Sequence, residues 1–268
     1  MRQQNKTKAP APEMLPVDTF THRVVIVTGG GSGIGAGIAL ELIRLGAKVI
    51  LVGRTEEKLR WVQQEGEKLR SGSAAVVAPL NVRDRDAVAE LVTDVVSTHG
   101  KIDHLVNSAA GNFRVAPEDM SPNAWDAVVK IVQYGTWNFT QLVGKHMIDR
   151  GEGGSILSIG TIGASQGGPD TVHSASAKAA VATMSKSLAA AWGTHGIRSN
   201  VLIPGMTAET PGVDILYGEA DLSGMIPLGR LGTKTELAHA ATFLLSDYAS
   251  YITGAELIVD DGRALRRR

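Results

Sequence analysis

The chain is 268 residues long and carries 27 Lys+Arg against 27 Asp+Glu, so its formal charge is zero. That length suits one large domain or two small ones with a real core, and the balanced charge argues against a nucleic-acid groove. With no cysteine, disulfides, thiolate nucleophiles and Cys-ligated metal sites are excluded; the 31 glycines exceed the usual share of about 7% without any collagen period.

Residues 1–20 are polar and hold three prolines, which reads as a flexible tail rather than a targeting segment. No run approaches the roughly 18 apolar residues of a membrane span, so a cytoplasmic protein with no membrane partner is expected. From residue 21 to 262 short apolar runs alternate with helical patterns. The strand candidates are 24–28, 48–52, 75–78, 104–107, 155–159, 199–203 and 256–259. Most are continuously apolar, as strands buried on both faces are. Helical segments fall near 33–45, 55–70, 84–98, 122–149, 173–195 and 234–246, with Ile38, Leu42 and Leu45 at helical spacing. The pattern predicts an α/β fold: one Rossmann-type, doubly wound parallel sheet of about seven strands, helices on both faces. Residues 263–268 form a basic C-terminal tail.

The first strand runs into Thr28-Gly29-Gly30-Gly31-Ser32-Gly33-Ile34-Gly35, where a helix begins. Glycine permits positive φ and close approach of a ligand to the backbone. A helix N-terminus then offers free N–H groups to a pyrophosphate. The second strand ends in Val52-Gly53-Arg54-Thr55, without the carboxylate that would meet a ribose 2′-hydroxyl. Arg54 offers a fork for a 2′-phosphate instead, so NADPH is the expected cofactor.

The G-x-x-x-G-x-G spacing resembles the short-chain dehydrogenase/reductase family, and three further pieces match it. They are Asn107-Ser108-Ala109-Ala110-Gly111, Lys178 in a long helix, and Pro204-Gly205 after the sixth strand. The resemblance implies that these loops, with Thr207, surround the dinucleotide. It puts Asn81-Val82 where the family has an adenine-touching Asp-Val, and it makes Lys178 the holder of the nicotinamide ribose. The family's catalytic Tyr, four residues before Lys, is Ser174 here; the Ser position is Thr161 and the Asn position is Val132. A serine hydroxyl is a far poorer acid than a phenol with a pKa near 10.

The segments 109–113, 121–125 and 174–190 narrow the resemblance to 2,4-dienoyl-CoA reductases. Those enzymes use NADPH to add hydride to a conjugated thioester. By resemblance Phe113 and Ser121 line the acyl site and Arg83 approaches the CoA portion, while Asn112 and Thr161 are local residues able to donate to an enolate or ketone. The mitochondrial branch places its proton-donating tyrosine fifteen residues before the lysine, which is Gly163 here. The peroxisomal branch uses an aspartate at the position of Val132. Neither acid is present. Tyr134 and His173 are local substitutes, although each also reads as a helix residue of ordinary packing or polarity.

The expected activity is therefore NADPH-dependent reduction of a conjugated enoyl, dienoyl or carbonyl substrate with an atypical proton donor. A non-redox catalyst on the same scaffold, or a cofactor-binding protein without turnover, remain the alternatives. No metal site is expected, since the seven His show no ligand spacing. The connection 207–226 reads as a substrate lid. The terminal Arg263, Arg266, Arg267 and Arg268 read as a solvated tail or as partners of a CoA phosphate. Pairing through the helices at 122–149 and 173–195 implies a homotetramer or dimer.

Overall fold

The computed structural model describes residues 14–73, 75–217 and 226–265. Arg266 to Arg268, most of the expected N-terminal tail and residues 218–225 of the expected lid lie outside the described residues.

All seven expected strands form, three with the expected ends and four with ends moved by one or two residues. They are β1 Val24–Thr28, β2 Lys48–Gly53, β3 Val76–Pro79, β4 His104–Asn107, β5 Gly154–Ile159, β6 Ile197–Pro204 and β7 Glu256–Val259. They make a single sheet in the order β3-β2-β1-β4-β5-β6-β7, with every neighbouring pair parallel. The helices are α1 Gly33–Arg44, α2 Glu56–Leu69, α3 Arg85–His99, α4 Pro122–Val129, α5 Gly135–Arg150, α6 Gly163–Gln166, α7 Val172–Trp192, α8 Pro211–Tyr217 and α9 Lys234–Leu245. The chain order turns back between β1 and β4, and at such a switch point an open parallel sheet leaves a crevice at its carboxyl edge.

Strand alternation sorts the core into two layers. Val25, Val27 and Leu51 pack with Ile38 and Leu42 of α1, Leu59 of α2 and Leu244 of α9. Val24, Ile26, Ile50 and Val52 pack with Val88 and Val92 of α3 and Phe139 of α5. Because both faces are covered, these strands read as unbroken apolar runs. Ile26 is fully buried, and Ile26→Val should cost about 0.5–1.5 kcal/mol in urea unfolding. Within the expected tail, Leu15 and Phe20 are buried, and Phe20 N–H donates to Leu45 O at 2.9 Å.

Local signals set the helix ends. Asp84 caps α3 by accepting from Ala87 N–H at 3.1 Å, and Gly100 closes it at φ 77°. Thr233 and Glu236 form a capping box on α9. The helix expected across 122–149 is not uniform: Lys130–Tyr134 form a π turn between α4 and α5. The extra residue per turn shifts the faces locally. It leaves Val132 buried against Ala177 and Val181 of α7, and Tyr134 58% exposed.

At the opposite, amino-terminal edge of the sheet, Asp103 is 1% exposed. Its Oδ2 accepts from Val24 N–H at 2.8 Å, and Lys101, Arg150 and Arg23 lie at 3.2, 3.4 and 3.6 Å. No helix among the described residues is long and apolar enough to cross a membrane.

Candidate active site

The glycine loop leaves β1 beneath the β4 loop. Gly29 adopts φ +66°, and a Cβ there would lie 2.8 Å from Ser108 O. A Cβ on Gly35 would run into Gly29 O. Both positions therefore demand glycine for contact, and Gly29 for conformation as well. Ser32 precedes α1 without a side-chain cap, and the first turn holds no acid. The first amides of α1 thus have no acceptor of their own helix, at the positive end of its dipole. This is a ready anion seat, and it faces the crevice.

Thr28 ties the two sides of the switch point together. Its Oγ1 accepts from the Ser108 and Ala109 amides at 3.1 and 3.2 Å and donates to Val106 O at 3.3 Å. Asn107 Nδ2 donates to Thr140 Oγ1 at 2.9 Å, while its Oδ1 is buried without a partner among the described residues.

Two cavities flank this loop. The smaller, about 170 Å³, holds Gly29, Gly31 and Ser32 on one wall and Asn81, Val82 and Ala109 on the other. Arg54 and Lys58 also line it, with no carboxylate among the described lining residues. Lys58 lies one turn along from Arg54 and doubles the positive charge there; sequence reasoning missed it, although its spacing was readable. Asn81 Oδ1 already accepts from the backbone N–H and Nε of Arg83, each at 3.2 Å. Both lone pairs expected for an adenine amine are thus committed to the turn.

The larger cavity, about 720 Å³, opens at the carboxyl ends of β5 and β6 beneath α8. Ile34, Asn112, Thr161, Ser174, Pro204 and Thr207 line it, with Gly205 beside them. Asn112 Oδ1 accepts from Phe113 N–H at 3.0 Å, which leaves its Nδ2 hydrogens for a ligand. Ser174 and Lys178 stand four residues apart on α7, hence on one face. Lys178 is 7% exposed, and its Nζ donates to Ile159 O at the end of β5. Burial pushes its pKa down to about 8.

The family profile described as Enoyl-(Acyl carrier protein) reductase matches residues 29–264. The chain belongs to the short-chain dehydrogenase/reductase family. It is 38% identical over 248 residues to the probable 2,4-dienoyl-CoA reductase [(2E)-enoyl-CoA-producing] of Bacillus subtilis, covering 91% of this chain and 97% of that one. It is 38% identical over 251 residues to the peroxisomal 2,4-dienoyl-CoA reductase [(3E)-enoyl-CoA-producing] of Danio rerio, covering 91% and 82%. The crystal structure of a short chain dehydrogenase from Bacillus anthracis superposes with a TM-score of 0.87 at 38% identity, covering 92% of this chain and 99% of that one. The protein is thus an oxidoreductase that works with a nicotinamide cofactor.

Within this short-chain dehydrogenase/reductase, several expected site residues lie outside the larger cavity. Phe113 is partly buried behind its wall, edge-on to His173 at 4.4 Å between ring centres. Ser121 caps α4 by accepting from Ala124 N–H at 3.2 Å. Arg83 folds back on Asn81. His173 is fully buried, and its Nδ1 accepts from Ser174 N–H at 2.8 Å. Neither substitute proton donor reaches the cavity lining, since Tyr134 faces solvent. Gly163 does line it, and a Cβ there would meet only Ala175 and Thr161 atoms, at 3.7–3.8 Å. The missing acid is therefore not excluded by crowding at that atom. The lining also includes Met206, Gln166, Arg114 and Asp170, which no sequence motif marks.

Proposed function

We propose that the protein is an NADPH-dependent reductase of a conjugated enoyl or dienoyl thioester. The observation that carries the reading is the convergence of Asn112, Thr161 and Ser174 on one cavity, with Lys178 a turn below Ser174. The names of the B. subtilis and D. rerio relatives supply the substrate class.

The residues present fit a dinucleotide. The uncapped start of α1 and the glycine contacts suit the pyrophosphate, and the Arg54 and Lys58 pair suits a 2′-phosphate. When bound, NADPH supplies the hydride. Asn112 Nδ2 and the hydroxyls of Thr161 and Ser174 donate to the thioester oxygen as negative charge gathers there. Lys178 holds the ribose hydroxyls through Nζ, anchored on Ile159 O. The proton for carbon comes from water rather than from a phenol, because no tyrosine or histidine is among the described lining residues and the carboxylate there, Asp170, is bridged to Arg114. This reading places the enzyme in the cytoplasm as a homotetramer or dimer joined through α5 and α7, which light scattering checks.

Purified protein should oxidise NADPH in the presence of a dienoyl-CoA. Turnover of the thioester without NADPH consumption would replace the reading with non-redox catalysis. Tight NADPH binding with no conversion of any enoyl or dienoyl thioester would reduce it to cofactor binding. Arg54→Ala should weaken NADPH binding tenfold or more, about 1.4 kcal/mol, and leave NADH binding unchanged in a fluorescence titration.

A further inference from the structure

The smaller cavity is lined by both phosphate seats of the dinucleotide reading, Gly29, Gly31 and Ser32 on the one hand and Arg54 and Lys58 on the other. One ribose joins a pyrophosphate to a 2′-phosphate, so the purine on that ribose belongs in the same cavity. Leu80, Val82 and Ile131 supply apolar surface for a flat ring. Asn81 is the one side-chain amide there, with no carboxylate among the described lining residues. Ser32 and Thr55 are hydroxyls, which donate or accept as a partner requires. Asn81 is therefore the side chain whose fixed polarity can choose between bases.

That polarity is set by the turn that follows β3. Leu80 N–H donates to Gly53 O at 2.8 Å, Asn138 Nδ2 donates to Val82 O at 3.0 Å, and Asp84 N–H donates to Asn81 O at 2.9 Å. Val82 is also pressed against the start of α5, where a Cβ on Gly135 would lie 2.5 Å from Val82 Cγ2. Within this frame Asn81 Oδ1 accepts from the backbone N–H and Nε of Arg83, each at 3.2 Å. Both partners are donors, so they hold the amide with its oxygen towards Arg83. What Asn81 keeps for the cavity is Nδ2, which has no acceptor among the described residues. An amide nitrogen of this kind only donates.

We infer that Asn81, locked by Arg83, makes the base pocket accept a 6-oxopurine at least as well as adenine. This rests on the dinucleotide part of the reading above. Adenine presents a 6-amino group, which needs an acceptor. A 6-oxopurine such as hypoxanthine presents a carbonyl oxygen at the same place, which accepts from Nδ2. Two donors face to face leave each other unpaired as water is expelled, and that costs more than one hydrogen bond gains. Arg83 is a positioning residue in this arrangement, acting through Asn81 rather than on the base.

Fluorescence titration with four reduced dinucleotides tests this: NADPH, NADH and the hypoxanthine analogue of each. Wild type should bind each hypoxanthine form at least as tightly as its adenine counterpart. Asn81→Asp should move the affinity ratio towards adenine by roughly tenfold, because a carboxylate has about four lone-pair sites and can serve Arg83 and a 6-amino group together. Arg83→Ala frees the amide to turn its oxygen to the cavity and should move the ratio the same way, by roughly threefold. Damage to the fold would weaken all four dinucleotides together, whereas the ratio reports the base alone. A wild-type preference for adenine of about threefold or more, or a ratio unmoved in either variant, overturns the proposal. Equal affinity for NADPH and NADH overturns the NADPH reading, while the base ratio stands or falls by itself. Failure of wild type to bind any of the four overturns both.

Discussion

Replacing Lys178 by alanine should lower kcat/KM for NADPH oxidation with a dienoyl thioester by roughly two orders of magnitude, the size of effect that losing a positioning contact can have. Loss of fold should not accompany it. Lys178 is buried with a pKa held down near 8, below the ordinary 10.5, so the native state binds its proton less readily than the unfolded chain does. Such a group destabilises the protein at neutral pH. The alanine variant should therefore melt at the same temperature as wild type or higher. The same depression sets a pH profile. Nζ carries its charge below about pH 8 and loses it above, so ribose binding and rate should fall as pH rises through 8. A folded variant with full activity would remove Lys178 from the chemistry, and one that unfolds would contradict the stability expectation.

The largest effect on stability is expected far from the cavity, at Asp103. Burial alone would raise its pKa, but the Val24 amide, His104 and Lys101 outweigh that and hold it below the usual carboxylate value. Asp103→Ala leaves Arg23, Lys101 and Arg150 without their shared carboxylate and frees the Val24 amide. Breaking a buried pair in this way costs about 3 kcal/mol, readable in urea unfolding at pH 7; a loss under 1 kcal/mol would contradict it. The sign with pH follows from the direction of the shift. Asp103 contributes fully above the ordinary carboxylate range near 4, and its contribution disappears as pH falls through the lower native value. Its neighbour His104 adds to acid sensitivity. Burial pushes His104 down to about 3, so it stays neutral in the fold, while the unfolded chain protonates it near 6.5. Stability should therefore fall as pH drops from 6.5 towards 3, and the Asp103→Ala variant should keep that fall.

Much of the fold was legible because burial on both faces forces continuous apolar strands such as Val24–Thr28, and helix faces repeat at their own period. The π turn at Lys130–Tyr134 was not, since nothing in its local residues interrupts a helical pattern. It leaves Tyr134 exposed and Val132 buried against α7. At the site, Gly29, Gly35, Arg54, Ser174 and Lys178 were readable because each belongs to a short stretch whose spacing carries geometry. Phe113 and Ser121 were assigned to the acyl site by likeness alone, and the structure sets one behind the cavity wall and the other at a helix cap.

The sequence by itself determined the parallel sheet, the glycine loop over a helix start, and a serine in place of the expected tyrosine. These depend on neighbours within a few residues, where periodicity and backbone conformation leave little choice. Only the tertiary structure decided that Arg114, Asp170 and Arg263 share one cavity and that Arg23, Lys101 and Arg150 share one buried carboxylate. Those groupings join segments far apart in the chain, and they exist only once the sheet order has brought their loops to the same edge.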